Sequence, residues 1–307
     1  MSARNLIDRI TGNVMAAAAV GSALMLLVIA AALCLRSIPI LQTIPIHDLF
    51  LGSTWMPVEG HFGFLVPILG TVFVTAIAMA IAIPLSILSA IYLAEYATER
   101  VRAKILPLID LLAGIPPVIF GVWGVLVIVP SVAVLARNIG PLGIPFFGTT
   151  EYNTGFSILA AGIVLAIMVF PIIISISEQV LRAVPADIRE ASLGMGATKW
   201  QTIKHVELKM AFSGIAAAVI LGFSRAFGET IAVLMVVGNV ALIPNSVFDP
   251  ALPLPSLIAN NYGEMMSIPL YDSALLFAAL IVMSVILVFT VIARLILIRI
   301  EKGMAYG

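Results

Sequence analysis

Six apolar stretches dominate this chain, at about 14–35, 64–93, 106–135, 156–177, 212–238 and 273–298. Each reaches the roughly 20 residues that a helix needs to cross the hydrocarbon of a bilayer. Inside lipid, an isolated segment can satisfy its backbone N–H and C=O groups only as a helix. The expected architecture is therefore an all-α integral membrane protein with six transmembrane helices. Composition agrees, since 62% of residues are hydrophobic and only 10% charged, too few charges to solvate a water-soluble domain of this length. The first stretch is too long for a removable signal peptide and lacks a small-residue cleavage pattern, and Leu33 ahead of Cys34 spoils a lipoprotein site, so it is expected to remain as a helix. Cys34 is the single cysteine, which excludes an internal disulfide or Cys-based metal site. His47, His61 and His205 are too scattered along the chain to form a metal site of their own.

Basic residues orient the six spans. Arg4, Arg9, Arg100, Arg102, Lys104, Arg182, Arg189, Lys199, Lys204, Lys209, Arg294, Arg299 and Lys302 fall on one side of the span map, against Arg36 and Arg137 on the other. The positive-inside rule places the first side, with both termini, in the cytoplasm of a multi-pass protein of the cell (inner) membrane. The three outer connections, 36–62, 136–154 and 239–271, are rich in Pro, Gly, Asn and aromatics. They read as shaped outer loops, with Trp55, Phe146, Phe147 and Tyr262 available either for interfacial anchoring or for a solute-binding partner.

The longest cytoplasmic connection has its own pattern. Glu190-Ala191-Ser192 is followed after three residues by Gly196 and after nine more by Val206-Glu207-Leu208. Pro185 can begin a short helix, Asp187 and Glu190 suit its positive end, and Gly194 or Gly196 can close it. Thr198 with Gln201 forms a capping box for a second helix. Spacing and residue types resemble the EAA loop through which the membrane subunits of ABC importers engage their ATPase. That resemblance assigns Glu190, Ala191, Ser192, Gly196, Val206 and Leu208 to ATPase coupling. The general motif ends in proline where this chain has Lys209, so the path after Leu208 is left open.

The remaining cation, Arg225, lies in the fifth apolar stretch, with Glu229 four residues on, one turn later on the same face of a continuous helix. An arginine at that depth costs ~2.5–3.5 kcal/mol on the lenient insertion scale, so it needs a polar pathway or a partner charge. The two residues can simply pair with each other. Alternatively, the guanidinium fork can recognise an oxyanion through bidentate hydrogen bonds, with Glu229 holding it between cycles. Gly114, Pro116 and Pro117 are candidates for a helix break or gate in the third stretch, as is Pro84 for a break in the second. Asp110 is expected near the inner end of the third span, beside a helix N-terminus.

The segment from Arg225-Ala-Phe-Gly-Glu229-Thr230 through Ile-Ala-Val-Leu-Met-Val-Val to Gly238-Asn239 resembles the signature of PstC-type permease subunits of the bacterial high-affinity phosphate importer. Leu111 to Gly124 and Arg189 to Thr202 are similar to the same family, and the likeness extends over most of the chain from about residue 64. What the resemblance implies is a type I ABC importer permease with a MetI-like fold, translocating inorganic phosphate. Residues 1–63 would form a cytoplasmic tail, first helix and outer loop, and 64–307 the permease domain, with the EAA loop at about 178–211. Arg225, Glu229 and Thr230 would lie on the substrate pathway. The implied partners are a PstA-type permease subunit, two ATPase subunits and a periplasmic or lipid-anchored phosphate-binding protein, all within or against membrane lipid. No nucleic-acid partner is expected.

Other classes fit less well. The chain has no Gly-x-x-x-x-Gly-Lys-Ser/Thr loop, so ATP and Mg are expected on the partner ATPase and no cofactor on this chain. No nucleophile elbow or His-Glu-x-x-His pattern supports an enzyme. An ion-coupled secondary transporter would also use intramembrane charges and broken helices, but leaves the EAA-like loop without a purpose. Sulfate, molybdate and phosphonate permeases are the nearest alternatives within the importer class.

Overall fold

The element order places two central spans against each other and wraps the others around them. A computed structural model describes residues 3–148, 151–152, 154–263 and 268–305. The chain runs through α1 (Ala3–Thr43), α2 (Ile46–Leu51), a small antiparallel hairpin of β1 (Trp55–Met56) and β2 (His61–Phe62), and α3 (Leu65–Ile91). It continues as α4 (Glu99–Gly114), α5 (Pro117–Trp123), α6 (Val129–Ile139) and α7 (Ile158–Arg182). The last part comprises α8 (Ala186–Gly194), α9 (Lys199–Thr202), α10 (Leu208–Gly228), α11 (Ile231–Val236), α12 (Leu254–Asn261) and α13 (Tyr271–Ala305). Three π-turns interrupt the α pattern: Tyr92–Tyr96 extends α3, Gly124–Ile128 joins α5 to α6, and Ile203–Glu207 joins α9 to α10.

Among the described residues, six helical stretches are long and apolar enough to cross a membrane: Arg9–Thr43, Leu65–Tyr96, Pro117–Leu142, Ile158–Arg182, Lys199–Gly228 and Tyr271–Ile292. The central pair is α3 and α7, packed through small residues: Ala78 and Ala82 of α3, with Ala160, Ala161 and Val164 of α7, are buried in one cluster. Small side chains let membrane helices approach closely where lipid offers no hydrophobic drive for association. Gly222 of α10 continues the theme, since a Cβ there would come within 2.8 Å of Ile173. By contrast, α1 leaves the apolar residues of its most hydrophobic stretch exposed and packs against α13.

Several expectations are corrected. The third span does not begin at 106: α4 ends at Gly114, Ile115 and Pro116 are extended, and a new helix starts at Pro117. A residue before proline is pushed away from the α region, and consecutive prolines at 116 and 117 make that break unavoidable. Asp110 accordingly lies exposed in the C-terminal part of α4, away from any helix N-terminus. Pro84 stays inside an unbroken α3. The fifth span is shifted, running from Lys199 and stopping at Gly228.

The outer connections are more packed than loops. Ile40, Leu49, Phe62 and Phe64 share a buried cluster with Leu252, Leu254, Leu257, Tyr271 and Phe277. Trp55 meets the Phe62 ring edge-on at 5.7 Å. Backbone donors are satisfied across this cap, with Ile40 N donating to Ser273 Oγ (3.1 Å) and Leu254 N to Thr71 Oγ1 (2.8 Å). Residues 149–150, 153 and 264–267 of the second and third outer connections lie outside the described residues.

Candidate functional site

The 178–211 connection folds as its residues dictate. Pro185 caps α8 from outside, and Asp187 stands in the first turn. The helix closes in a Schellman motif: Ala197 N donates to Ser192 O (3.3 Å) and Gly196 N to Leu193 O (2.9 Å), with Gly196 left-handed at φ +87°. That conformation is why glycine is needed, because nothing lies within 4 Å of where its Cβ would be. Thr198 and Gln201 then form the expected capping box, with Thr198 N donating to Gln201 Oε1 at 2.8 Å. After Leu208 the chain does not turn. The π-turn runs directly into α10, and Lys209 supplies a backbone donor that proline would lack.

The six coupling candidates divide into two groups. Glu190, Ala191 and Gly196 are exposed. Ser192 is 7% exposed, and its Oγ lies 2.9 Å from Thr202 Oγ1, a contact that ties α8 to α9. Val206 and Leu208 are half-buried, with Leu208 packed on the cluster of Ala90, Leu181, Ile203 and Ala211. Two further large apolar side chains of this loop, Met195 and Trp200, are 86% and 49% exposed. Large apolar residues left in water at the end of a loop are the signal that could have found them.

Arg189 makes ion pairs with acids far from it in the chain, which no local pattern marks. Arg189 of α8 reaches Glu95 Oε1 (3.0 Å), Glu207 Oε1 (3.4 Å) and, by donation from Nη2, the Leu181 carbonyl (2.7 Å). Lys199 Nζ donates to the Glu95 carbonyl and sits 4.7 Å from the Tyr96 ring centroid. A neighbouring cluster joins α4 to α7: Arg102 contacts Glu99 (2.8 Å) and Glu178 (3.8 Å), and Arg182 contacts the same two acids. Glu178 and Glu207 are almost fully buried, a position a carboxylate holds only with partners.

At the intramembrane candidate the geometry differs from expectation. Because α10 ends at Gly228 and Glu229 is extended (φ −68°, ψ 130°), Arg225 and Glu229 do not share a helical face. Among the described residues they form no ion pair. Glu229 Oε1 instead accepts from Thr230 N (3.2 Å), while Thr230 Oγ1 donates to Gly228 O (3.2 Å), so both fasten the break. Arg225 stands in the last turn of α10, where a cation complements the helix dipole, and its buried Nε has no hydrogen-bond partner. A groove of about 440 Å³ beside the break is lined by Gly228, Thr230 and apolar residues of α1, α12 and α13. Its apolar walls make it unsuited to an anion, and Arg225 does not line it.

The Gly114–Pro117 break lies at the entrance to the third span. Gly114 ends α4 in open space, whereas Gly124, which follows α5 and opens the π-turn, is tightly enclosed, a Cβ there meeting Val164 and Val236 at 2.8 Å. The break therefore separates an exposed charged helix from a closely packed membrane segment.

Residues 82–302 match the family described as the binding-protein-dependent transport system inner membrane component. A phosphate transport system permease protein PstC of Xylella fastidiosa is 38% identical over 260 residues, covering 82% of this chain and 79% of the relative. A probable phosphate transport system permease protein PstC of Methanocaldococcus jannaschii is 33% identical over 251 residues, covering 80% and 79%. Among solved structures, the inward-facing MetNI methionine ABC transporter superposes with a TM-score of 0.56 at 18% identity, covering 75% of this chain and 93% of that one. A bacterial ABC transporter involved in import of the acidic polysaccharide alginate gives 0.58 at 15% identity, covering 96% and 99%. The fold is that of a MetI-like ABC importer permease.

Proposed function

We propose, from the premise that this chain belongs to the family of binding-protein-dependent transport system inner membrane components, that it is the phosphate-translocating permease subunit of an ATP-driven importer. The observation that carries the substrate reading is Arg225, an intramembrane cation whose Nε is buried without an acceptor at the point where the fifth span breaks. A guanidinium fork presents paired donors to two oxygens of an oxyanion. An anion arriving there would neutralise a charge that is costly in lipid. Glu229 and Thr230 fasten the break beside Arg225, with Glu229 near enough in sequence to restrain it in another state of the cycle.

The docking face Glu190, Ala191, Met195 and Trp200 is exposed on one loop with a capped, rigid backbone. It suits one of two partner ATPase subunits, which would bind ATP and Mg. A PstA-type subunit would complete the membrane pathway, and an external phosphate-binding protein would deliver the anion. This arrangement requires both termini and the 178–211 loop to be cytoplasmic, so a reporter fused after Gly307 should behave as cytoplasmic and one within 241–255 as external. The opposite pattern would remove the loop from any ATP-driven partner.

The deciding experiment is uptake of labelled phosphate by the copurified complex in vesicles, with sulfate as competitor. Phosphate uptake resistant to sulfate is expected. Sulfate uptake of equal efficiency would move the assignment to another oxyanion.

A further inference from the structure

Resting on the reading of the cytoplasmic loop as the ATPase docking face, we propose that Arg189 is the joint through which that loop moves the membrane spans. Movement of α8 on docking reaches the spans only through what ties α8 to them. Among the described residues, Arg189 is the α8 side chain whose polar contacts reach three spans at once. Its guanidinium touches the Leu181 carbonyl at the end of α7, Glu95 in the π-turn that ends α3, and Glu207 in the π-turn that opens α10. A displacement of α8 therefore pulls on the second, fourth and fifth spans through one rigid planar group.

Two details make this a joint as well as a weld. Both acids sit on π-turns, where the helical hydrogen-bond register is already relaxed and a small rotation costs little. Glu95 Oε1, Arg189 Nε and Glu207 Oε2 are also buried without a well-aligned hydrogen bond, although the charges are within ion-pair distance. One guanidinium thus serves two carboxylates with bonding capacity left over. A shift of α8 toward either acid can be repaid by a better-aligned bond on that side, which gives the cluster two arrangements. Arg225, at the other end of α10 from Glu207, would feel that shift through a single continuous helix.

The test uses the full complex with its ATPase and binding protein, in a Cys34→Ser background carrying Ala191→Cys. Three quantities are measured: crosslinking from position 191 to the ATPase, ATP hydrolysis, and phosphate taken up per ATP hydrolysed. Arg189→Lys keeps the charge but loses the fork, and Glu207→Gln leaves Glu95 and Arg189 as a balanced pair. Each is expected to retain crosslinking and hydrolysis while uptake per ATP falls about tenfold, the loss of one hydrogen bond to a charged group. If Arg189→Lys fails to accumulate, Glu207→Gln decides alone. Wild-type uptake per ATP would overturn the joint, and so would parallel loss of crosslinking and hydrolysis, which marks a merely structural cluster. Absence of crosslinking from Ala191→Cys with Arg189 and Glu207 intact is the separate result that overturns the docking reading and the joint with it.

Discussion

The 178–211 connection with the helix ends around it and the break after Gly228 both hold arginines, yet they treat them in opposite ways. Arg189, Arg102 and Arg182 are each ion-paired with an acid of another element. Arg225 has an acid four residues away and does not pair with it, because the helix ends between them. Under the proposed function, the paired cations stiffen the connection that meets the ATPase, and Arg225, with no ion pair among the described residues, is the charge that an anion would relieve.

Five substitutions test that contrast. The largest effect is expected from Arg225→Gln, which removes both charge and fork: phosphate uptake should fall by at least about a hundredfold with the complex still assembled, and Arg225→Lys should recover part of it. Normal uptake by assembled Arg225→Gln would refute the substrate role. Next is Gly196→Asp, which forces a Cβ-bearing residue into φ +87° at a cost of roughly 1–2 kcal/mol and adds charge to the docking face. ATPase association and uptake should both be lost, whereas Gly196→Asn, which tolerates the left-handed region better, should retain more of each.

A smaller effect is expected from Met195→Ser. The side chain is exposed in the free subunit, so subunit stability should not change, while burial against a partner would be worth roughly 1.5–3 kcal/mol. ATPase affinity should fall about tenfold or more in a titration of solubilised complexes, and unchanged affinity would move the docking surface elsewhere. The smallest is Ser192→Ala, which removes the 2.9 Å contact with Thr202. Thermal unfolding should shift by the equivalent of about 1 kcal/mol with docking unchanged. A docking defect without loss of stability would return Ser192 to the contact surface.

Glu229→Gln separates the two regions most directly. Its carboxylate accepts from Thr230 N and pairs with no cation among the described residues, so the variant should assemble normally, because the amide oxygen can still accept that bond. Altered uptake with normal assembly would place Glu229 in the transport cycle, and loss of assembly would mean that it meets Arg225 in a state other than this one.

Much of the loop was legible in advance because its signals are local. Gly196, Thr198 and Gln201 state their roles within a few residues, and the structure realises each. The end of the fifth span was not legible. Nothing around Gly228 marks a helix stop strongly, since Gly is common in membrane helices and the following Ile-Ala-Val-Leu-Met-Val run is apolar enough to continue. Hydrophobicity reports burial in lipid or protein alike, so it could not separate a spanning helix from α11, whose Ala232, Val233 and Val236 are buried in the central cluster. The third span failed differently, since the prolines were noticed but the apolar count ran across them.

Sequence by itself determined that the chain spans a membrane six times, that its basic residues gather on one side, and that a capped helix, glycine and helix connect the fourth span to the fifth. Those properties follow from transfer energies and short-range hydrogen bonding, which residues carry with them. Only the tertiary structure decided which charges meet. Glu95 is 94 positions from Arg189 and 112 from Glu207 in the chain, and they converge because α3, α7 and α10 pack side by side. The end of α10 at Gly228 likewise separates Arg225 from Glu229. Long-range electrostatics inside a membrane protein is fixed by how helices rotate and end, and no local signal encodes that rotation.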